Sequence, residues 1–160
     1  MTRVRKMMSL ENVVAALQAR RGAGAKVALA NGVFDLLHVG HLRYLEGARA
    51  VADVLVVALN SDTSVRQLKG PTRPWMPEDE RAELLAGFAC VDFVVVFDEP
   101  DVRSVIRTLR PDFHVKGTDY TPDTVPERDD VLAYGGKVVI AGDPKLHSTS
   151  DLAERLSRRS

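Results

Sequence analysis

Residues 30–41 read Ala30-Asn31-Gly32-Val33-Phe34-Asp35-Leu36-Leu37-His38-Val39-Gly40-His41, and the predicted fold extends outward from them. An apolar run, Val27 to Ala30, precedes them and is typical of a buried strand. Apolar residues spaced three and four apart follow them, as on one face of a helix. The stretch is therefore predicted to lead from a strand, through a turn, into a helix start. Asn31-Gly32 permits a sharp turn with positive φ, and Gly32 has no side chain to keep a ligand off the backbone.

Two histidines lie at the predicted helix start. His38 and His41 are three residues apart and share one side of the first turn, with Gly40 leaving space between them. A helix start exposes unpaired backbone N–H groups and the positive end of the helix dipole, which together attract phosphate. Two imidazoles beside such an anion site indicate phosphate chemistry. In the structural alternative, His38 caps the helix and His41 is an ordinary surface histidine.

Composition narrows the class of protein. A chain of 160 residues with 45% hydrophobic residues fits one globular domain that needs no cross-links. Lys plus Arg and Asp plus Glu balance at 22 each, so no overall field attracts nucleic acid or a membrane surface. The 6% aromatic content also argues against a surface that stacks bases. We therefore expect no nucleic-acid partner and no membrane partner.

The N-terminal region does not resemble a targeting segment, because Glu11 and Asn12 interrupt its apolar residues. No apolar run approaches the ~20 residues of a membrane span. Cys90, the single cysteine, is expected to be a buried thiol in a reducing compartment. These features predict a cytoplasmic protein in which residues 1–8 form a flexible arm and residues 9–160 form one domain.

Predicted strands and helices alternate along the chain. Strands are predicted at 26–30, 54–59, 93–97, 113–116 and 137–140. Helices are predicted from Ser9 to about Gly22 and at about 41–51, 78–88, 102–109, 131–134 and 149–156, with a polar loop over 60–77. Five β units alternating with helices predict an α/β fold: a single doubly wound, Rossmann-like domain with a five-stranded parallel sheet. Five side chains are predicted to face inward from two of the helices: Leu84, Leu85, Phe88, Leu152 and Leu156.

Polar groups are concentrated where the predicted strands end. Ligands of such folds bind outside the carboxyl ends of the strands. The polar stretches that fall there are 31–41, 60–73, 116–120 and 143–150. This clustering predicts the active site at that edge of the sheet without reference to any family.

Several cations and hydroxyls in these stretches could bind phosphate. Lys69 and Arg73 lie on a loop restrained by Gly and Pro, and Arg81 faces inward one turn into the next helix. The alternative for these cations is solvated surface charge. Lys116 ends a buried strand and therefore needs an anion, either a phosphate or the carboxylate of Asp119. Ser148 and Thr149 open the last helix and form a second anion site there, or an ordinary N-cap.

Gly32-Val33-Phe34-Asp35 followed by His38-Val39-Gly40-His41 resembles the signature of the HxGH nucleotidyltransferases, the cytidylyltransferase-like superfamily. Further stretches resemble the D-glycero-β-D-manno-heptose 1-phosphate adenylyltransferase domain, which makes ADP-heptose. They are Asn60-Ser61-Asp62, Leu68-Lys69-Gly70, Arg73-Pro74, Val115-Lys116-Gly117 with Asp119-Tyr120, Gly135-Gly136 and Ser148-Thr149. The likeness runs from about residue 26 to residue 156. Such proteins often carry a sugar kinase domain as well, and this chain resembles the stand-alone transferase.

Three departures bear on the substrates. Glycerol-phosphate cytidylyltransferases share the first motif, but their Arg-Thr-Glu-Gly before Ser-Thr is replaced here by Asp143-Pro144-Lys145-Leu146, which favours ATP over CTP. Thr118 stands where the heptose enzymes have Gly, and Ser150 replaces a second Thr. The resemblance thus implies the reaction more firmly than the sugar. A cytidylyltransferase acting on glycerol 3-phosphate, and a catalytically silent nucleotide-binding regulatory module, remain the alternatives.

The resemblance implies that a sugar phosphate oxygen attacks the α-phosphorus of ATP in line and that pyrophosphate leaves. The implied cofactor is Mg²⁺ bound to ATP, with no all-protein metal site. The implied catalytic residues are His38, His41 and Lys69, the histidines acting as hydrogen-bond donors to the α- and β-phosphates. The implied nucleotide-binding residues are Asn31, Gly32, Phe34, His38, Gly40, His41, Lys116, Gly117, Asp119, Ser148 and Thr149. The implied substrate-binding residues are Asp35, Asp62, Arg73 and Arg81. A homodimer is expected from the frequency of two-fold assemblies.

Overall fold

The computed structural model describes residues 2–144 and 148–158. Residues 145–147, which include part of the segment that argued against CTP, lie outside the described residues. The strands in the described part are β1 (Val27–Gly32), β2 (Val54–Asn60), β3 (Phe93–Phe97), β4 (Phe113–Lys116) and β5 (Lys137–Ile140). The helices there are α1 (Arg3–Lys6), α2 (Leu10–Gly22), α3 (Val39–Ala50), α4 (Asp62–Lys69), α5 (Glu78–Gly87), α6 (Arg103–Leu109), α7 (Arg128–Leu132) and α8 (Thr149–Ser157).

The five described strands form one parallel sheet in the order β3-β2-β1-β4-β5. The chain adds β2 and β3 on one side of β1 and then returns to add β4 and β5 on the other side. Strand order therefore reverses between β1 and β4, which is the point where doubly wound sheets bind ligands. The predicted Rossmann-like α/β fold is confirmed.

Helices cover both faces of the sheet, which is why every residue of β2 is buried. On one face, Leu17 of α2 packs in a buried cluster with Ile106 of α6. On the other face, Leu45 of α3 and Leu85 of α5 belong to a second cluster. The two apolar clusters hold the sheet rigid and leave its carboxyl edge open.

The prediction of a loop over 60–77 was wrong for its first half, where α4 forms. Ser61 begins this helix, and its side chain accepts a hydrogen bond from the Ser64 N–H at 3.1 Å. Val65 is buried while Leu68 is 51% exposed, and these are the two apolar residues of the helix. Two apolar residues within a polar stretch were too few for a helix to be predicted there.

The turn after β1 differs from the prediction. Asn31 and Gly32 are the last two residues of the strand, and positive φ occurs instead at Phe34 (49°) and Leu36 (50°). A Cβ atom on Gly32 would lie 3.2 Å from the Phe34 ring. Gly32 is thus needed for this close packing and not for a left-handed backbone.

Residues 1–8 were expected to form an arm, and the structure places contacts there. Met7 pairs with Val94 of β3, and the Met8 N–H donates to the Val94 carbonyl at 3.2 Å. The Lys6 ammonium donates to the Phe88 carbonyl at 3.1 Å. The Met7 and Met8 contacts lie on the edge strand of the sheet, where unpaired backbone groups would otherwise be exposed.

Some predicted inward positions were wrong. Leu84 is 45% exposed and Leu156 is 65% exposed, while Phe88 is only partly buried. Cys90 is also only partly buried. In the described part of the chain, no helix combines the length and the apolar character that crossing a membrane requires.

Candidate active site

A cavity of about 490 Å³ opens at the switch point, where β1 and β4 end. This volume lies within the range of ~300–1,000 Å³ that is common for small-molecule sites. Its walls come from residues 31–44, from Lys69 and Arg73, from residues 117–120, and from the described part of residues 141–150. All four polar stretches that were predicted to meet at this edge contribute to the cavity.

His38 and His41 hold the start of α3 as a capping box. The His38 ring accepts a hydrogen bond at Nδ1 from the Gly40 N–H at 3.1 Å. The His41 ring accepts one at Nδ1 from the His38 N–H at 3.2 Å. The structural alternative for His38 therefore holds, but His41 is not an ordinary surface histidine. Both rings line the cavity, with their centroids 4.0 Å apart.

The capping box fixes the tautomer of both rings. A ring nitrogen that accepts a hydrogen bond from a backbone N–H carries no proton, so the proton of each neutral imidazole is on Nε2. Protonating Nδ1 would place two donors against each other. The box therefore makes each Nε2–H a hydrogen-bond donor in the neutral ring, which suits a ligand rich in acceptor oxygens.

Gly40 is required by the position of the His38 ring. A Cβ atom on Gly40 would lie 2.8 Å from Cε1 and 2.9 Å from Nδ1 of His38. The sequence argument gave Gly40 the task of clearing a ligand's approach to the backbone. In the structure it clears the imidazole that caps its own N–H.

Asp35 organises the loop opposite the histidines. One carboxylate oxygen accepts from Nε of Arg73 at 3.0 Å and from the Trp75 N–H at 2.9 Å, and the other accepts from the Met76 N–H at 3.1 Å. The flanking residues Phe34 and Leu36 both have positive φ, a conformation that costs ~1–2 kcal/mol per residue. These bonds offset that cost. The Asp35 carboxylate thus supports the loop, and because Asp35 also lines the cavity, its contact with substrate stays a prediction.

Arg73 is held rigidly at the cavity wall. Its Nε bonds to Asp35, and its guanidinium carbon lies 3.7 Å above the centre of the Trp75 ring. The Arg73 side chain is 14% exposed, so the ion pair with the buried Asp35 is well shielded from water. In the described residues no partner is found for its two terminal nitrogens, which leaves four N–H groups for an anion.

Arg81 and Asp62 do not line the cavity, contrary to their predicted substrate-binding role. Arg81 is fully buried, and its guanidinium donates to four oxygens. These are the carbonyls of Met76 (2.9 Å), Val33 (2.7 Å) and Asn60 (2.8 Å) and the carboxylate of Asp62 (2.6 Å). This cation therefore ties the ends of β1 and β2 to the start of α5 beneath the site.

The two predicted lysines occupy different environments. Lys69 ends α4, is exposed and lines the cavity. Lys116 does not line it, and its ammonium lies 4.8 Å from the centre of the Tyr120 ring. Burial lowers the pKa of Lys116, while the nearby Glu127 carboxylate opposes that shift. Lys69 is thus positioned to meet a ligand directly, whereas Lys116 lies behind the residues that line the cavity.

The start of α8 forms the opposite wall of the cavity. The Ser148 hydroxyl accepts from the Asp151 N–H at 3.1 Å, and Asp151 accepts in turn from the Ser148 N–H at 2.9 Å. The Thr149 hydroxyl donates to the Asp35 carbonyl at 2.7 Å. Both hydroxyls line the cavity as predicted, and each also has a structural hydrogen bond.

Sequence reasoning missed several residues of the wall. Tyr44 donates from its hydroxyl to the Val115 carbonyl at 2.6 Å, and burial raises the pKa of that hydroxyl. Arg43 forms an ion pair with Asp143 at 2.7 Å, and the Thr118 hydroxyl donates to the Asp143 carbonyl at 2.9 Å. Arg43 and Tyr44 come two and three residues after the second histidine, but a helical pattern does not show which strand ends they reach.

The described residues include no group of three or more His, Cys, Asp or Glu side chains that could hold a metal ion. Mg²⁺ is commonly held by one or two carboxylates together with substrate phosphates. The carboxylates of Asp119 and Asp143 stand on the cavity wall. The donor set therefore fits a cation that arrives with a phosphate ligand.

Comparisons with known proteins agree with this arrangement. The family model described as cytidylyltransferase-like matches residues 29–155. The bifunctional protein HldE of Syntrophotalea carbinolica is 49% identical over 158 residues, which are 99% of this chain and 32% of that protein. HldE of Caulobacter sp. strain K31 is also 49% identical, over 96% of this chain and 32% of its own. The chain thus spans about a third of the length of these curated relatives.

One solved structure is also similar. The lipopolysaccharide core biosynthesis protein from Thermoplasma volcanium is 28% identical, with a TM-score of 0.65. The match covers 76% of this chain and 100% of that one.

Proposed function

Because this chain belongs to the cytidylyltransferase-like family, we propose that it transfers AMP from ATP to a sugar phosphate and releases pyrophosphate. The proposed acceptor is a heptose 1-phosphate, and the product is ADP-heptose. The observation that carries the proposal is the pair of half-buried imidazoles at the switch point, each with its proton directed to Nε2 by the capping box. The structural neighbour is a lipopolysaccharide core biosynthesis protein, which supports a sugar acceptor.

In the proposed reaction an oxygen of the acceptor phosphate forms a bond to the α-phosphorus of ATP. The bond from that phosphorus to the bridging oxygen of the β-phosphate breaks, and the leaving group takes the electron pair as pyrophosphate. A phosphate nucleophile is already ionised, so the protein has little proton transfer to perform. Its task is to align the two phosphates and to stabilise negative charge as it develops.

His38 and His41 are proposed to supply that stabilisation as neutral donors. Each Nε2–H is held in place by the bond at the opposite nitrogen, so no reorganisation is needed when charge grows on the α- and β-phosphate oxygens. A donor of this kind contributes about 3–4 kcal/mol to the transition state. The positive end of the α3 helix dipole adds to the same field.

The acceptor phosphate is proposed to bind on the Lys69 and Arg73 side of the cavity. Arg73 presents its terminal nitrogens in a plane that Asp35 and Trp75 hold fixed, which suits two-point binding of a phosphate. Lys69 adds a mobile point charge for the acceptor or for the leaving pyrophosphate. Arg81 and Asp62 are proposed to support this side indirectly, because their ion pair and the Arg81 bond to the Met76 carbonyl anchor the loop that carries Arg73.

The nucleotide is proposed to occupy the side formed by Asn31, Gly32, Gly117, Ser148 and Thr149. Mg²⁺ would be carried by the triphosphate, with Asp119 and Asp143 as the carboxylates that could contact it, and would neutralise phosphate charge. A homodimer is part of the proposal as the expected assembly.

The test is a panel of reactions that measures pyrophosphate release. ATP and CTP are each supplied with heptose 1-phosphate, glycerol 3-phosphate or phosphopantetheine. The proposal expects turnover with ATP and heptose 1-phosphate. Turnover only with CTP and glycerol 3-phosphate would replace it with the cytidylyltransferase alternative, and tight ATP binding with no pyrophosphate from any acceptor would indicate a silent binding module.

A further inference from the structure

A fully buried histidine stands behind the nucleotide side of the cavity. His114 lies in β4 opposite Leu29 of β1, two residues before Asn31, in a parallel strand pair. Its Nε2 is 3.0 Å from the side-chain oxygen of Asn31. Asn31 lines the cavity, so the buried His114 ring of β4 contacts a residue that can meet a ligand.

His114 is an unusual residue for this place, because the neighbouring core positions are apolar. Its Nδ1 is buried and has no hydrogen-bond partner among the described residues. An orphaned polar atom of this kind destabilises the fold, because its desolvation is not compensated. Burial, with a smaller contribution from the charge of Lys116, lowers the pKa of His114 to about 3. The ring is therefore neutral at physiological pH. Among the described residues, its hydrogen bond with Asn31 is the polar contact that its two nitrogens make.

The direction of that bond follows from the cost of the two neutral tautomers. If Nε2 carries the proton, it donates to the Asn31 oxygen and the orphan at Nδ1 is a lone pair. If Nδ1 carries the proton, the orphan is a buried N–H, which is the rarer and costlier defect in proteins. The first arrangement is favoured, and it holds the Asn31 oxygen toward β4. The amide nitrogen of Asn31 is then on the other side of the amide group, away from His114.

We propose that His114 is a positioning residue that fixes the Asn31 amide so that its two N–H groups are presented to an acceptor atom of the bound nucleotide. Without His114 the amide could rotate by half a turn and present its oxygen to the phosphates, which repel it. This inference rests on the proposed function insofar as the ligand is a nucleotide. It adds a residue that never touches the ligand and that no motif in the sequence identifies.

The test compares ATP affinity, measured by calorimetry on the full chain, among four variants. His114→Leu removes the donor and also the orphaned nitrogen, so the fold should survive, and ATP should bind about 3- to 10-fold more weakly. His114→Gln places an amide N–H at the position of Nε2 and should restore most of the loss. Asn31→Ala should weaken ATP at least as much as His114→Leu. In the Asn31→Ala background, His114→Leu should have no further effect on ATP affinity.

A control separates positioning from general damage to the core. Phe113→Leu alters the adjacent residue of β4, whose side chain belongs to the apolar cluster on the other face of the sheet. It should lower stability and leave ATP affinity within about two-fold of the unaltered protein. Nitrogen NMR shifts of the His114 ring give a second measurement that does not need a ligand, and the proton should be found on Nε2.

The outcomes distinguish this inference from the proposed function. If ATP fails to bind the unaltered protein, both fail. If ATP binds but His114→Leu matches the unaltered protein, or weakens ATP equally with and without Asn31, only the positioning role is overturned. A proton found on Nδ1 of His114 overturns it as well, and if His114→Leu does not fold, His114→Gln and the NMR measurement decide.

Discussion

Two helix starts border the cavity, and both are closed by a capping box. At α8 the box uses Ser148 and Asp151, which are among the side chains that cap helices best. At α3 the same two hydrogen bonds are made by His38 and His41, which are not favoured caps. The backbone gains the same bonds at either site, so capping alone does not account for the choice of residues at α3.

The two boxes differ in the chemical groups that they place at the cavity. At α8 the box places only the Ser148 hydroxyl there, on the proposed nucleotide side. At α3 it places two imidazoles there, and an imidazole that accepts at Nδ1 carries its single proton on Nε2, in a known tautomer and a fixed orientation. A capping box built from histidines therefore fixes the tautomer and orientation of two rings in addition to capping the helix.

His41→Ala should have the largest effect on catalysis. It removes one prepared donor, and turnover should fall about 100- to 1,000-fold. The change also removes a cap hydrogen bond, for which the expected loss of stability is about 1 kcal/mol. Steady-state pyrophosphate release and chemical denaturation measure the two effects separately.

Asp151→Ala is the matched control, because Asp151 occupies the same third position in the box of α8. It should lose a similar stability and change turnover by less than about three-fold. Equal turnover in the two variants would end the distinction between the boxes.

His38→Ser exchanges the cap of α3 for the cap that α8 already uses. Serine is a better N-cap than histidine, so the free energy of unfolding should stay the same or rise. Turnover should still fall about 100-fold, because a serine hydroxyl does not reach the position of Nε2. A variant that is stable and active would show that the His38 ring serves only the helix.

The site shows how far sequence reasoning reaches. Strands β3, β4 and β5 were predicted with the observed bounds. Each is a short, mainly apolar stretch between turn-forming or polar residues, which leaves little choice of where the strand begins and ends. The family resemblance carried by Gly32 to His41 is confirmed by the family match. These results depend on local pattern, which a sequence contains directly.

What the sequence could not provide are the partners of long polar side chains. Arg81 was correctly placed inward, but its four oxygen partners include three backbone carbonyls, and a carbonyl has no residue-specific signal. The N–H groups that donate to the Asp35 carboxylate belong to Arg73 and to the two residues after Pro74, about 40 positions along the chain. Helix α4 was missed for another reason: only two of its eight residues, Val65 and Leu68, are apolar.

Gly40→Ala sharpens the comparison by moving one ring without removing any polar atom. Alanine is a better helix former than glycine by about 1 kcal/mol, so a simple helix would gain stability. Here the new methyl group would lie 2.8 Å from Cε1 of His38, and the ring must turn away. Turnover should fall about 10- to 100-fold, since a displacement near 1 Å is enough for such a loss.

Gly22→Ala is its control, because nothing lies within 4 Å of a Cβ at that position in α2. It should leave turnover unchanged. Normal turnover in Gly40→Ala would mean that the orientation of the His38 ring is not important for the reaction.

Ser148→Ala should have the smallest effect and tests the other side of the comparison. Losing the hydroxyl leaves the Asp151 N–H without its acceptor, at a cost of about 1 kcal/mol to the start of α8. Ser148→Gly should cost only a few tenths of a kcal/mol, because glycine leaves the same N–H open to water. Hydrogen exchange at the first turn of α8 should follow that order, while KM for ATP changes by no more than about three-fold in either variant. If turnover instead fell by about 100-fold in Ser148→Ala, α8 would share the electrostatic task now assigned to α3, and the two helix starts would act as a pair on the phosphates.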